Sequence, residues 1–253
     1  MSTLTDADLY LRGAGTLLAT WEAYAGGSRG AAIVRFPGMA AAVFPTEPER
    51  TVYNNAWLHT DLGSSDPAEA VDAMEVAYAS AAVPRFAAWV HESDRAMRTE
   101  LEARRYTVDT ATRAMGMAVG DVRLPRPQID LAPPDWSAYL RLLVLDGAPP
   151  GLLDGVDPGV FHPLVASLDG EDVAAALAFD LGDDCGIFNV GTLPHARRRG
   201  LGTALTALLV HEAAERGCRT TSLQSTPMGE RVYAAVGFQD LGRILEYVPA
   251  GTS

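Results

Sequence analysis

The sequence predicts an α/β fold built on a mixed (α+β) sheet, with one order of elements laid out twice along 253 residues. Three observations predict it. Apolar runs of strand length alternate with helical segments in both halves. Residues 190–203 read as a strand, a short turn and an Arg- and Gly-rich opening to a helix. Pro125, Pro127, Pro133 and Pro134 punctuate the stretch 124–135 and make it the best linker candidate. The expected organisation is therefore a domain at 1–123, a linker at 124–135 and a second domain at 136–253.

In the first half, a helix near 6–25 precedes strands near 31–35, 40–44 and 51–58. A helix follows with Asp66 as its cap and Pro67 at its first position. Then come a strand at 86–91, a helix at 94–104 and a strand at 110–119. The second half reads helix (136–145), a variable segment, and strands at 164–168, 173–181 and 185–193. The next helix starts at Leu201, sets Leu201, Ala204, Leu205, Leu208 and Leu209 on one face, and stops at Gly217. A strand at 220–225, a short helix at 229–236 and a last strand opened by Gly237-Phe238 complete the order.

Composition narrows the function. With 48% hydrophobic residues the chain has the material for a sizeable core. It has no run long and apolar enough for a membrane span. Its start is polar and acidic, unlike a signal peptide, so a cytoplasmic protein with no membrane partner is expected. The net charge of −12 argues against general nucleic-acid binding. Cys185 and Cys218 make neither a disulfide framework nor a metal site and read as small buried core residues. The five histidines are scattered, so no metal is expected.

Against this acidity the cluster Arg197-Arg198-Arg199 stands out, directly before Gly200-Leu201-Gly202-Thr203. A solvated basic patch is the bland reading. Its position favours phosphate, because the first amides of a helix lack internal partners and carry partial positive charge, and glycine lets an anion approach the backbone. A Walker loop needs a lysine, and the chain contains none. A dinucleotide fingerprint needs a third glycine where Leu205 stands.

What remains, Arg197-x-x-Gly200-x-Gly202, resembles the Arg/Gln-x-x-Gly-x-Gly/Ala motif of the GCN5-related N-acetyltransferases (the GNAT superfamily). Downstream, Tyr233-Ala234-Ala235-Val236-Gly237-Phe238 resembles that family's Tyr-x-x-x-Gly-Phe ending. The resemblance covers roughly residues 126–248. It implies a tandem acyl-CoA N-acyltransferase fold whose N-terminal copy is degenerate, with acetyl-CoA as cosubstrate and no metal. By the same resemblance the strand end Val190, Gly191 and Thr192 would splay from its neighbour and bind the pantetheine arm. Arg197, Arg198, Arg199, Gly200, Leu201, Gly202 and Thr203 would hold the pyrophosphate, and Ser225 and Thr226 would stand beside the cleft. Tyr233 would protonate the departing thiolate. In the N-terminal half Asp61 and Asp66 put negative charge where a pyrophosphate would sit, and Leu101 aligns with Tyr233, so no second catalytic centre is expected.

No general base is visible. Glu92, Asp61, Asp183, Asp184 and Glu246 are the acids expected near the cleft, each also readable as a solvated surface carboxylate. Trp57, His59, Trp89 and His91 alternate on two strands, which suggests aromatic packing more than an acceptor pocket. The expected activity is acetyl transfer to the primary amine of a small molecule; a homodimer is left open. The rivals are transfer to a protein amino group and a non-catalytic acyl-CoA-binding module.

Overall fold

The computed structural model describes residues 4–47, 53–60, 66–133, 135–145, 147, 150–151 and 153–251. Its elements run α1 (Asp6–Gly26), β1 (Ala32–Phe36), β2 (Met39–Val43), β3 (Asn55–Leu58), α2 (Pro67–Ser80), β4 (Ala87–His91), α3 (Arg95–Ala103) and β5 (Tyr106–Ala118). They continue α4 (Trp136–Leu145), β6 (Phe161–Leu168), β7 (Glu171–Leu181), β8 (Asp184–Thr192), α5 (Leu201–Arg216), β9 (Thr220–Ser225), α6 (Glu230–Val236) and β10 (Gln239–Pro249). The expected α/β order is present in both halves. Among the described residues no helix is long and apolar enough to cross a membrane.

The chain forms two compact units that interleave in sequence. One comprises Met1–Thr20 and Ala114–Leu241; the other comprises Trp21–Arg113 and Gly242–Ser253. This partition differs from the expected division at 124–135, because that segment is docked on the first unit. Leu124 and Ile129 pack against its core. The amide of Ala132 donates to the Val165 carbonyl at 3.0 Å and that of Ser167 to Asp130 at 3.0 Å, lining the segment along β6. The apolar residues between the prolines account for the docking. Pro134 lies outside the described residues.

In the first unit the strands follow the order β6-β7-β8-β9-β5. β6, β7 and β8 are antiparallel neighbours, and β8 runs parallel to β9. Of the predicted face of α5, Leu205, Leu208 and Leu209 are buried while Leu201 and Ala204 stay half-buried. Ala207, Val210 and Ala213 are buried as well, and the helix ends at Gly217 with φ of 97°. Cys185 and Cys218 are both buried in the same core, as expected. On the other face of the sheet lies a polar knot that the sequence does not announce. The carboxylate of Asp184, 3% exposed, accepts hydrogen bonds from Thr16 Oγ1 at 2.7 Å, Thr220 Oγ1 at 2.6 Å and Ser222 Oγ at 2.8 Å. Thr16 belongs to α1, which approaches so closely that a Cβ on Gly13 would lie 2.8 Å from Ser222 Cβ.

In the second unit the order is β1-β2-β3-β4-β10, with only β3 and β4 parallel. Asp66 caps α2 by accepting from the Ala68 amide, with Pro67 at the first position, as expected. Met74, Tyr78, Met97 and Leu101 of α2 and α3 are fully buried on one face of the sheet. On the other face Trp57 and Trp89 are neighbours in register, and Trp21 meets Trp89 edge-on at 5.5 Å. This bears out aromatic packing for the two strand tryptophans.

Glu246 stands opposite Trp89 across the β4–β10 pair. Burial, and secondarily the charge of Asp109, push its carboxyl up to about 7 from an ordinary 4.5. The folded protein thus holds this proton more tightly than the unfolded chain. The stabilisation this confers is complete below about pH 4.5 and is lost as pH rises through about 7. Glu246→Gln should remove that dependence and leave the variant about 1–3 kcal/mol more stable than the wild type near pH 8. Denaturant titrations at pH 5 and pH 8 check this; an unchanged difference between the two pH values in the variant would clear Glu246 of the effect.

Candidate active site

β8 and β9 begin as a bonded parallel pair and then part. Asp184, Cys185 and Gly186 are in register with Thr220, Thr221 and Ser222, and the pairing stops there although both strands continue. The expected splay is thus present. On its other edge β8 carries a bulge. Leu177 faces Phe188 and Ala175 faces Gly191, so Ala176 alone opposes Asn189 and Val190. Asn189 takes the left-handed conformation, φ 51°, that the bulge requires.

The parted strands open on a cleft of about 680 Å³. One wall is Val190, Gly191 and Thr192 from β8. Its end wall is the turn into α5, where Arg198 (φ 63°) and Gly200 (φ 80°) are both left-handed. This alternation points successive amides to one side, and the first amides of α5, at Leu201, Gly202 and Thr203, have no carbonyl one turn back to bond. Arg197 Nε donates to the Thr192 carbonyl at 2.9 Å and closes the turn. The facing wall comes from the loop after β9 and from α6: Thr226, Met228, Gly229, Val232 and Tyr233.

Of the residues predicted for this site, Val190, Gly191, Thr192, Arg197, Arg198, Gly200, Leu201, Gly202, Thr203 and Tyr233 line the cleft together. Arg199 and Ser225 are not in its lining. Arg199 is exposed, and the fully buried Ser225 donates its hydroxyl to the Thr226 carbonyl at 2.8 Å. Thr226, expected beside the cleft, is in its lining, whereas Ala196, Met228, Gly229 and Val232 were not foreseen. Gly229 carried a usable signal, since the residue four before Tyr233 is its neighbour on a helix.

Tyr233 is half-buried, with its ring edge-on to Phe238 at 6.1 Å. Gly229 makes room for that ring: a Cβ there would come within 2.8 Å of Tyr233 Cε2. Burial pushes the phenol up to about 12, so it remains a proton donor across the physiological range.

None of the four described candidate acids, Glu92, Asp183, Asp184 and Glu246, lines the cleft. Asp184 is the buried knot described above, and Asp183 is paired with Arg12. Glu92 accepts from the Arg243 amide at 2.9 Å, and Glu246 likewise belongs to the second unit. Asp61 lies outside the described residues. Among the described residues, no group of three or more His, Cys, Asp and Glu side chains is arranged to hold a metal ion.

The second unit also holds a parallel strand pair. β3 and β4 stay paired over the whole of β3, from Asn55 with Ala87 to Leu58 with Val90. Leu101, aligned with Tyr233, is buried in the core, and Arg105, aligned with Gly237, shares its positive φ (67° against 133°).

Residues 129–238 match the family profile of the acetyltransferase (GNAT) family. No curated protein matches the chain by sequence. Among solved structures, the chain is similar to a GCN5-related N-acetyltransferase from Kribbella flavida (TM-score 0.70, 16% identity), covering 95% of this chain and 96% of that one. It is also similar to a GCN5-related N-acetyltransferase from Sphaerobacter thermophilus (TM-score 0.62, 17% identity, 97% and 93% covered). A functionally unknown conserved protein from Staphylococcus epidermidis has a TM-score of 0.61 at 11% identity, with 87% and 94% covered. At these identities the likeness speaks for the fold, and that fold extends over nearly the whole chain.

Proposed function

We propose that the protein transfers the acetyl group of acetyl-CoA to the primary amine of a small molecule, with Tyr233 as general acid, in line with the match of residues 129–238 to the acetyltransferase (GNAT) family profile. The observation that carries this reading is the single cleft in which the opened β8 backbone, the first turn of α5 and Tyr233 converge. The α5 turn fits a pyrophosphate, with backbone amides and Arg197 and Arg198 around it. The β8 edge offers the pantetheine arm a strand to pair with, since β9 has left it unpaired. A backbone amide near Val190 would polarise the thioester carbonyl.

The amine nitrogen attacks the carbonyl carbon, the C–N bond forms and the C–S bond breaks. The sulfur leaves as thiolate and takes the Tyr233 proton; the excess proton on nitrogen passes to water, and Tyr233 is reprotonated from solvent. With the phenol up at about 12, the pH profile of turnover should follow the amine and not Tyr233. The N-terminal half is read as a degenerate copy without chemistry of its own, consistent with the closed β3–β4 pair.

Release of free thiol from acetyl-CoA against a panel of small amines, peptides and protein N-termini tests this reading. Tight coenzyme A binding with no turnover on any amine would favour a binding module; turnover confined to peptides would move the acceptor class. The phosphate turn has its own test. At a φ of 80° Gly200 tolerates asparagine far better than a β-branched residue, although nothing lies within 4 Å of a Cβ placed there. Gly200→Val should weaken coenzyme A binding about 10–100-fold through roughly 1–3 kcal/mol of backbone strain and lost amide geometry. Gly200→Asn should retain most of the affinity. Isothermal calorimetry distinguishes them, and equal affinities would mean that the turn is not the phosphate site.

A further inference from the structure

The bulge on β8 is held from outside the cleft. The side-chain amide of Asn189, the left-handed residue, donates from Nδ2 to the Tyr139 hydroxyl at 2.9 Å. Tyr139 sits on α4 and is fully buried. Its ring is fixed in an aromatic block: Trp136 stacks on it at 5.0 Å, Phe161 stacks on Trp136 at 5.7 Å, and Phe179 packs on Phe161 at 5.4 Å. The hydroxyl is therefore a rigid fixture, and the residue it holds immediately precedes Val190 and Gly191 in the cleft wall.

The geometry points to a positioning pair: we propose that Tyr139, through Asn189, fixes the left-handed kink that turns the Val190–Gly191 backbone into the cleft, and so sets how the thioester carbonyl meets its amide donor. Asparagine tolerates the left-handed region, but its backbone there has extended alternatives close in energy. A hydrogen bond to a buried, immobile oxygen selects the kinked form. The chemical consequence follows from the steepness of carbonyl polarisation with geometry, where displacement of about 1 Å costs on the order of 10²-fold in rate. Neither residue reaches the reacting atoms; each acts through the strand between them.

This inference rests on the acetyl-transfer reading, and its test separates the two. Tyr139→Phe removes the acceptor and keeps the ring; Asn189→Gly keeps the conformation accessible and removes the amide. Each should lower turnover about tenfold with coenzyme A affinity within about twofold of the wild type, and the double variant should be no worse than either single one. Additive losses, or a loss confined to coenzyme A affinity, would overturn the pairing. A second readout needs no activity. Amide hydrogen exchange at Val190 and Gly191 should speed up at least about tenfold in both variants, while α5 amides keep their protection. Unchanged exchange at Val190 and Gly191 would overturn the proposal even if the enzyme slowed. Faster exchange in both variants, together with a wild type that transfers no acyl group to any amine, would uphold the pair and refute the acetyl-transfer reading instead.

Discussion

Tyr233→Phe is expected to lower turnover by roughly 10²–10⁴ while changing coenzyme A affinity little. The phenyl ring would still pack edge-on against Phe238 and fill the space that Gly229 leaves. Only the hydroxyl is lost, so the walls that hold the cosubstrate are untouched. A thiolate leaving group expelled without a proton is a poorer outcome for the C–S bond, and that is where the rate is lost. Steady-state kinetics with a responsive amine, together with calorimetric binding of coenzyme A, separate the two quantities. A variant as fast as the wild type would remove Tyr233 from the mechanism. A variant that no longer binds coenzyme A would make Tyr233 a wall residue instead of an acid.

Asp184→Ala is expected to cost about 2–6 kcal/mol of stability. It strips the buried hydroxyls of Thr220 and Ser222 of their acceptor at about 1–3 kcal/mol apiece, while Thr16 keeps the Arg12 carbonyl at 3.1 Å. All three donors, Thr16, Thr220 and Ser222, are buried, so water cannot readily replace the carboxylate. Against a typical total of 5–15 kcal/mol this is a large fraction, and it corresponds to a fall in Tm on the order of 10 °C. Asp184→Asn should cost less, because an amide oxygen still accepts. Thermal and denaturant unfolding of both variants test this, and an alanine variant within 1 kcal/mol of the wild type would show that the knot contributes little.

Much of this architecture was legible because local chemistry and tertiary structure agree. The bounds of α4 and β9 match their expected ranges, and α5 starts and stops at its two glycines. The cleft lining was largely legible for a related reason, as phosphate-binding turns and the Tyr-x-x-x-Gly-Phe run are continuous in sequence. What escaped was long-range. Nothing near Asp184 marks it as buried, because its partners lie on other elements; the spacing Thr220-x-Ser222 on a neighbouring strand is the one trace of them. Nor does local pattern reveal that α1, β5 and β10 are each shared between the two units. Strand propensity says where a strand is and not which neighbours it finds. The loop residue Met228 lines the cleft through backbone course alone, which no periodicity encodes.

The knot around Asp184 also sets a timetable. Thr16 leaves the ribosome well ahead of its partner, which follows 168 positions later. At roughly 5–20 residues per second that is a wait of about 10–30 s. Meanwhile Leu9 and Leu17, which end 5% and 3% exposed, have no finished surface to bury them. Helix α1 is thus an orphan during translation, and stalled nascent chains should remain open to protease cleavage there until β8 and β9 have emerged.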